Sequence, residues 1–97
     1  MTKEEMIIKV IEVEKDLKEC DEIIGNLGAN CYRANVFVTK CINNIDYLEE
    51  IRKNKTKQKL NGPLSFSQLE NKQKIIVLKC IRKSLYDYLK KLMLEIE

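Results

Sequence analysis

Histidine is absent from this chain, proline occurs once, glycine three times, and no Cys-x-x-Cys pair occurs in its 97 residues. Each scarcity closes off a class of answer. Without histidine no side chain titrates near neutral pH in the ordinary way, and the Glu-x-x-His ligand pairs of a di-metal helical bundle cannot be written. The expectation is therefore a non-enzymatic protein with no cofactor and no metal, a carboxylate-only or cysteine-nucleophile site being the residual alternative. Cys20, Cys31, Cys41 and Cys80 are separated by 11, 10 and 39 residues, which is not the spacing of paired zinc ligands. Disulfides, or one metal site built from all four, stay open as alternatives. Buried reduced thiols are the expected state, because Cys20 and Cys41 fall on apolar seams where a free cysteine acts as a small hydrophobe, and that state fits a reducing, cytoplasmic compartment.

Long apolar runs are also missing. The longest, Ile75-Ile76-Val77-Leu78, is far short of the ~20 residues that cross a bilayer, so no membrane partner is expected. Met1-Thr2-Lys3-Glu4-Glu5 leads into an acidic helical turn rather than a basic region with an apolar core, so secretion is not expected either. The scarcity of breakers leaves long helices, and 44% hydrophobic with 34% charged residues describes a folded chain. One domain of this length buries roughly 60–65% of its unfolded surface, so a single core must hold it together.

A heptad seam runs through the first third: Met6, Val10, Val13, Leu17, Cys20, Ile24 and Leu27 alternate steps of four and three, which keeps one helical edge on a partner. Three helices are predicted, near residues 3–26, 31–52 and 66–94, with a basic linker at 53–64. Thr2 and Glu5 form a capping box for the first, and Gly25 and Gly28 offer left-handed stops. Asn30 is positioned to cap the second helix, whose stripe is Cys31, Ala34, Phe37, Val38, Cys41, Ile45, Leu48 and Ile51. A strand over Asn35–Thr39 competes on β-branched content but finds no matching partner strand. Ser65 and Gln68 suggest a second capping box, with Leu64 stapling onto Leu69, ahead of a last helix striped by Leu78, Ile81, Leu85, Tyr88 or Leu89, and Leu92. The predicted fold is all-α, a three-helix antiparallel bundle with coiled-coil-like packing.

Two helices carry more apolar surface than one stripe needs: Ile7, Ile8 and Ile11 on the first, Ile75 and Ile76 on the last. These five residues are the candidate interaction surface, and a homodimer or higher oligomer that completes a larger bundle is expected through them. The alternative is a monomer whose helices splay to cover both patches.

Charge is segregated. Residues 1–30 carry four basic and eight acidic groups (−4), residues 31–63 seven and three (+4), and residues 64–97 seven and four (+3). Pairing of the acidic first helix with the basic remainder is the plain consequence. Arg52, Lys53, Lys55, Lys57 and Lys59, with Lys79 and Lys83 in a helical strip that also holds Lys72, Lys90 and Tyr86, are candidate phosphate-binding residues. The expected function is binding and regulation or inhibition of a protein partner, in the manner of small phage or bacterial inhibitors, immunity proteins and adaptors. A basic nucleic-acid-binding module is the first alternative, and an oligomer that sequesters a small molecule between subunits is the second.

Overall fold

A computed structural model describes the backbone of residues 1–58 and 66–96 and the side chains of 1–54 and 66–96. Every regular element among them is helical: α1 (Lys3–Gly25), α2 (Cys31–Ile42), α3 (Ile45–Gln58) and α4 (Asn71–Ile96), with 3₁₀ turns at Leu27–Ala29 and Phe66–Gln68. Four helices thus replace the three expected, and Asn35–Thr39 lies inside α2 rather than in a strand.

The start of α1 is as predicted, with the Thr2 hydroxyl accepting the Glu5 N–H at 3.1 Å, and Glu4 and Glu5 set favourably against the helix dipole. Its end is not. Neither Gly25 nor Gly28 enters the left-handed region; instead the chain tightens into the 3₁₀ turn, and the Asn30 side chain donates to the Asn26 carbonyl at 2.7 Å. Asn30 is thereby spent on closing this turn and makes no side-chain cap for α2.

The second predicted helix breaks at Asn43-Asn44. Asn43 donates its N–H to Thr39 and Cys41 carbonyls, and the Asn44 side-chain oxygen accepts the N–H groups of Asp46 and Tyr47 at 3.1 and 3.3 Å. Two successive asparagines can end one helix and begin the next because a short amide side chain substitutes for the missing backbone partner. The break resets the periodic stripe: Ile45 is exposed and Leu48 half-buried, while Tyr47 and Ile51 turn inward.

Beyond the break, α3 continues to Gln58, so residues 53–58 are helix where a linker was expected. Lys59, Leu64 and Ser65, including the predicted Ser65 cap and Leu64 staple, lie outside the described residues. The last helix starts at Asn71 rather than near 66, and the Glu70 N–H is accepted by Gln73 Oε1 at 3.1 Å.

The core is filled by Phe37, Ile23, Leu78, Ile81, Leu85, Val13 and Val38, all essentially inaccessible. The heptad seam contributes Val13, Leu17, Cys20 and Leu27 as buried residues, and Ile23 joins them from the adjacent position. At about 1.5 Å per residue, α4 spans nearly the whole 41 Å long dimension of the molecule, and it is covered from two sides. On one, Cys20 donates weakly to the Leu78 carbonyl at 3.5 Å and Arg82 meets Asp21 at 2.8 Å. On the other, Asn54 donates to Ser84 at 3.0 Å, and Tyr47 packs edge-on against Tyr88 with ring centres 5.7 Å apart. Part of the apolar surface around α4 is therefore taken up within one chain, since Cys80 is buried and Ile75 and Val77 pack against the core, while Ile76, Tyr86, Met93 and Leu94 stay exposed.

Candidate functional site

The five candidate interaction residues do not form one patch. Ile75 is half-buried against the core, while Ile76 faces solvent close to Leu78 and hence beside the Cys20 level of α1. Ile7, Ile8 and Ile11 are exposed 9 to 13 residues earlier in α1, more than about 13 Å along the axis. These three also divide. Ile7 stands one heptad before Glu14, on the edge of α1 that faces a groove shared with Tyr86 and Leu89 of α4, and Ile11 stands one heptad before Lys18, which lies between that groove and the one towards α2. Ile8 stands one heptad before Lys15, on the edge towards α2.

That α2 edge is ionic. Arg33 meets Glu19 at 3.2 Å and Glu22 at 2.8 Å, Lys40 meets Asp16 at 2.8 Å and Glu19 at 3.4 Å, and the Tyr47 hydroxyl donates to Asp16 at 2.7 Å. Burial, reinforced by the hydrogen bond to Asp16, pushes the Tyr47 phenol up and keeps it protonated. Burial works against the Lys40 ammonium, yet Asp16 and Glu19 hold its pKa above the ordinary value. The segregated charges seen in the sequence are spent here on orienting α1 against α2. Lys9 and Asp46 add a 2.9 Å pair at the base of α3.

The candidate phosphate-binding residues are likewise dispersed. Lys53 lies 3.6 Å from Glu50 and 4.0 Å from Glu49 on its own helix, and Lys83 lies 3.1 Å from Asp87. Arg52 is exposed on α3, Lys55 and Lys57 belong to its last turns, and Lys59 falls outside the described residues. What the fold does assemble is a shallow basic groove on α4, lined by Lys79, Arg82, Lys83, Tyr86, Asp87 and Lys90, with the Arg82 guanidinium 5.8 Å from the Tyr86 ring centre. Further along the same helix, Tyr86, Leu89, Lys90, Met93 and Leu94 line a hollow that is almost wholly apolar. Tyr86 and Leu89 are shared with the groove between α1 and α4.

A surface that the sequence reading passed over lies on α2. From Ala29 to Ile45 the only charged residues are Arg33 and Lys40, and both turn to α1. The outward face, Cys31, Tyr32, Val36, Thr39, Ile42 and Asn43, is exposed and carries no charge. Exposed Ser67 and Gln68 of the neighbouring 3₁₀ turn are also neutral. The signal was the depletion of charge over 17 residues in a chain that is one-third charged, which apolar periodicity does not report.

Cys20, Cys41 and Cys80 are buried and Cys31 is exposed, and none of the four is in a disulfide. Burial pushes the Cys20 and Cys41 thiols up to about 12, which suits packing rather than nucleophilic or metal chemistry. Among the described residues no group of Cys, Asp and Glu is placed to hold a metal, and no helix is long and apolar enough to cross a membrane. No protein family, curated protein or solved structure matches this chain.

Proposed function

We propose that this chain is a non-enzymatic helical interaction protein that docks the edge between α1 and α4 onto a protein partner and regulates or inhibits it by occupying its surface. One observation carries the reading: Tyr86, Leu89, Met93 and Leu94 line an almost wholly apolar hollow on α4 that shares Tyr86 and Leu89 with the groove between α1 and α4, and Ile7 and Ile11 are exposed on α1. An amphipathic helix of a partner fits such a groove through residues spaced three and four apart. Glu14 and Lys18 on one wall and Lys90 on the other supply a polar rim.

The test is affinity capture from the native cell with wild type and with the double variant Ile11→Glu and Met93→Glu, both at exposed positions. A protein retained by the wild type, lost with the variant and insensitive to nuclease supports the reading. Retention by both proteins alike sinks it. The basic groove around Tyr86 favours a second reading, binding of nucleic acid through Lys79, Arg82, Lys83 and Lys90. Under that reading, affinity falls steeply with salt and Lys79→Gln with Lys90→Gln flattens the slope.

A further inference from the structure

The outward face of α2 is exposed, apolar in its large side chains and free of charge from Tyr32 to Asn43 apart from Arg33 and Lys40. Tyr32 is 82% exposed, Val36 51%, Ile42 46% and, three residues on, Ile45 80%. Large side chains left this open beside neutral Thr39 and Asn43 have the composition of an interface centre, where charge is depleted and aromatic residues are enriched. The Thr39 hydroxyl is already engaged, donating to the Asn35 carbonyl at 2.9 Å, so Thr39 asks no hydrogen bond of an incoming surface. Arg33 and Lys40 stand along one border and are neutralised by α1.

We infer that this face is occupied by a second copy of the same chain, packed about a two-fold axis, an inference that assumes the interaction role proposed above and assigns a different surface to self-association. A two-fold interface sets each group against its own kind or against others of the same patch. A charged patch so opposed meets like charge, whereas the α2 face has none to oppose. A foreign protein partner is ordinarily selected by complementary charge, and this face offers no charge to read. Its size also fits: Tyr32, Val36 and Ile42 of α2 together with Ile45 at the start of α3 expose roughly 500 Å², and Cys31, Thr39 and Asn43 bring the total to roughly 700 Å², against the ~800 Å² that each partner contributes to a standard interface. The dimer expected from the apolar excess of the first and last helices is thus relocated to α2, which leaves the α1–α4 groove open for a partner.

Sedimentation and light scattering decide the matter. The wild type runs at twice the chain mass of 11.4 kDa at micromolar concentration. The double variant Tyr32→Glu and Val36→Glu runs as a monomer with unchanged helical circular dichroism, its dimer dissociation constant raised on the order of 100-fold or more. Thr39→Arg, which sets like charges across the axis, gives the same result should the double variant fail to fold. Ile11→Glu leaves the dimer intact. A wild type that stays monomeric at high micromolar concentration overturns the inference, as does a dimer that survives the α2 variants. Either failure leaves the groove variants free to be judged separately, because they read capture of a partner and not mass.

Discussion

The two sides of α4 are built on different principles. Towards α1 the seam is apolar: Val13, Leu17 and Cys20 close on Leu78, Ile81 and Leu85 in the same buried cluster, crossed only weakly by the Cys20 bond to the Leu78 carbonyl, and the charged link, Arg82 to Asp21, sits at its rim. Towards α3 the seam is polar. Glu50, Asn54 and Ser84 are all buried; Asn54 donates to Ser84, to Asp87 and to the Glu50 carbonyl at 3.0, 3.2 and 3.1 Å, and Lys91 closes on Glu50. An apolar seam stabilises by area removed from water and tolerates sliding. A polar seam adds little net energy but penalises every misregister, because each displaced group is left buried without its partner. The first sets how strongly α4 is held, and the second sets where.

Truncation of the apolar seam is the largest expected effect. Leu85 is fully buried, and Leu85→Ala should cost about 2–5 kcal/mol in a denaturant titration. Leu17→Ala, slightly less enclosed, should fall in the lower part of that range. An unchanged midpoint for Leu85→Ala would show that the packing of α4 on α1 does not hold the fold. In the polar seam, Asn54→Ala removes the shared donor and leaves the Ser84 hydroxyl and the Asp87 carboxylate short of a partner, for an expected loss of about 1–3 kcal/mol. If Asn54→Leu proves as stable as the wild type, the amide is not acting as the registering group.

The same contrast explains what the sequence disclosed. Helical class, the start of α1, the seam from Val13 to Leu27 and the stripe of α4 were legible because apolar side chains recur with the helical period and have one way to be buried. The break at Asn43-Asn44 was not, since asparagine is compatible with a helix interior and becomes a stop only when Asn44 turns to cap the next one. Glu50 and Asn54 read as surface letters, and nothing local announces that α4 brings Ser84 and Asp87 to meet Asn54. The candidate surfaces fared similarly. Ile7, Ile8 and Ile11 were visible as excess, but their division between two edges needed the positions of α2 and α4, and the neutral face of α2 is a depletion of charge, which apolar periodicity does not register.

A smaller effect separates burial from hydrogen bonding where α3 begins. Tyr47 is buried against Tyr88 and donates to Asp16, so Tyr47→Phe keeps the ring packing and removes only the 2.7 Å bond. With Lys40 still on Asp16, the carboxylate keeps a partner, and the expected cost is about 0.5–1.5 kcal/mol. A loss as large as that of Leu85→Ala would mean that the ionic edge, and not the apolar seam, anchors the bundle.

The finest test uses the acid limb of stability. Burial favours the neutral form of Asp87, but hydrogen bonds from Asn54 and Lys83 outweigh it and hold its pKa below the ordinary 3.8. A carboxyl group with a depressed folded pKa binds fewer protons folded than unfolded around that pH, so its contribution is present above 3.8 and is lost as pH falls through the folded value. Wild type should therefore exceed Asp87→Asn in denaturation midpoint at neutral pH, and the gap should narrow once the pH drops below 3.8. The difference is a small one, because Asp87 is only partly enclosed and water screens its partners. A gap that stays constant down to strongly acid pH would assign the effect of the substitution to packing, and would remove Asp87 from the set of charges that register α3 on α4.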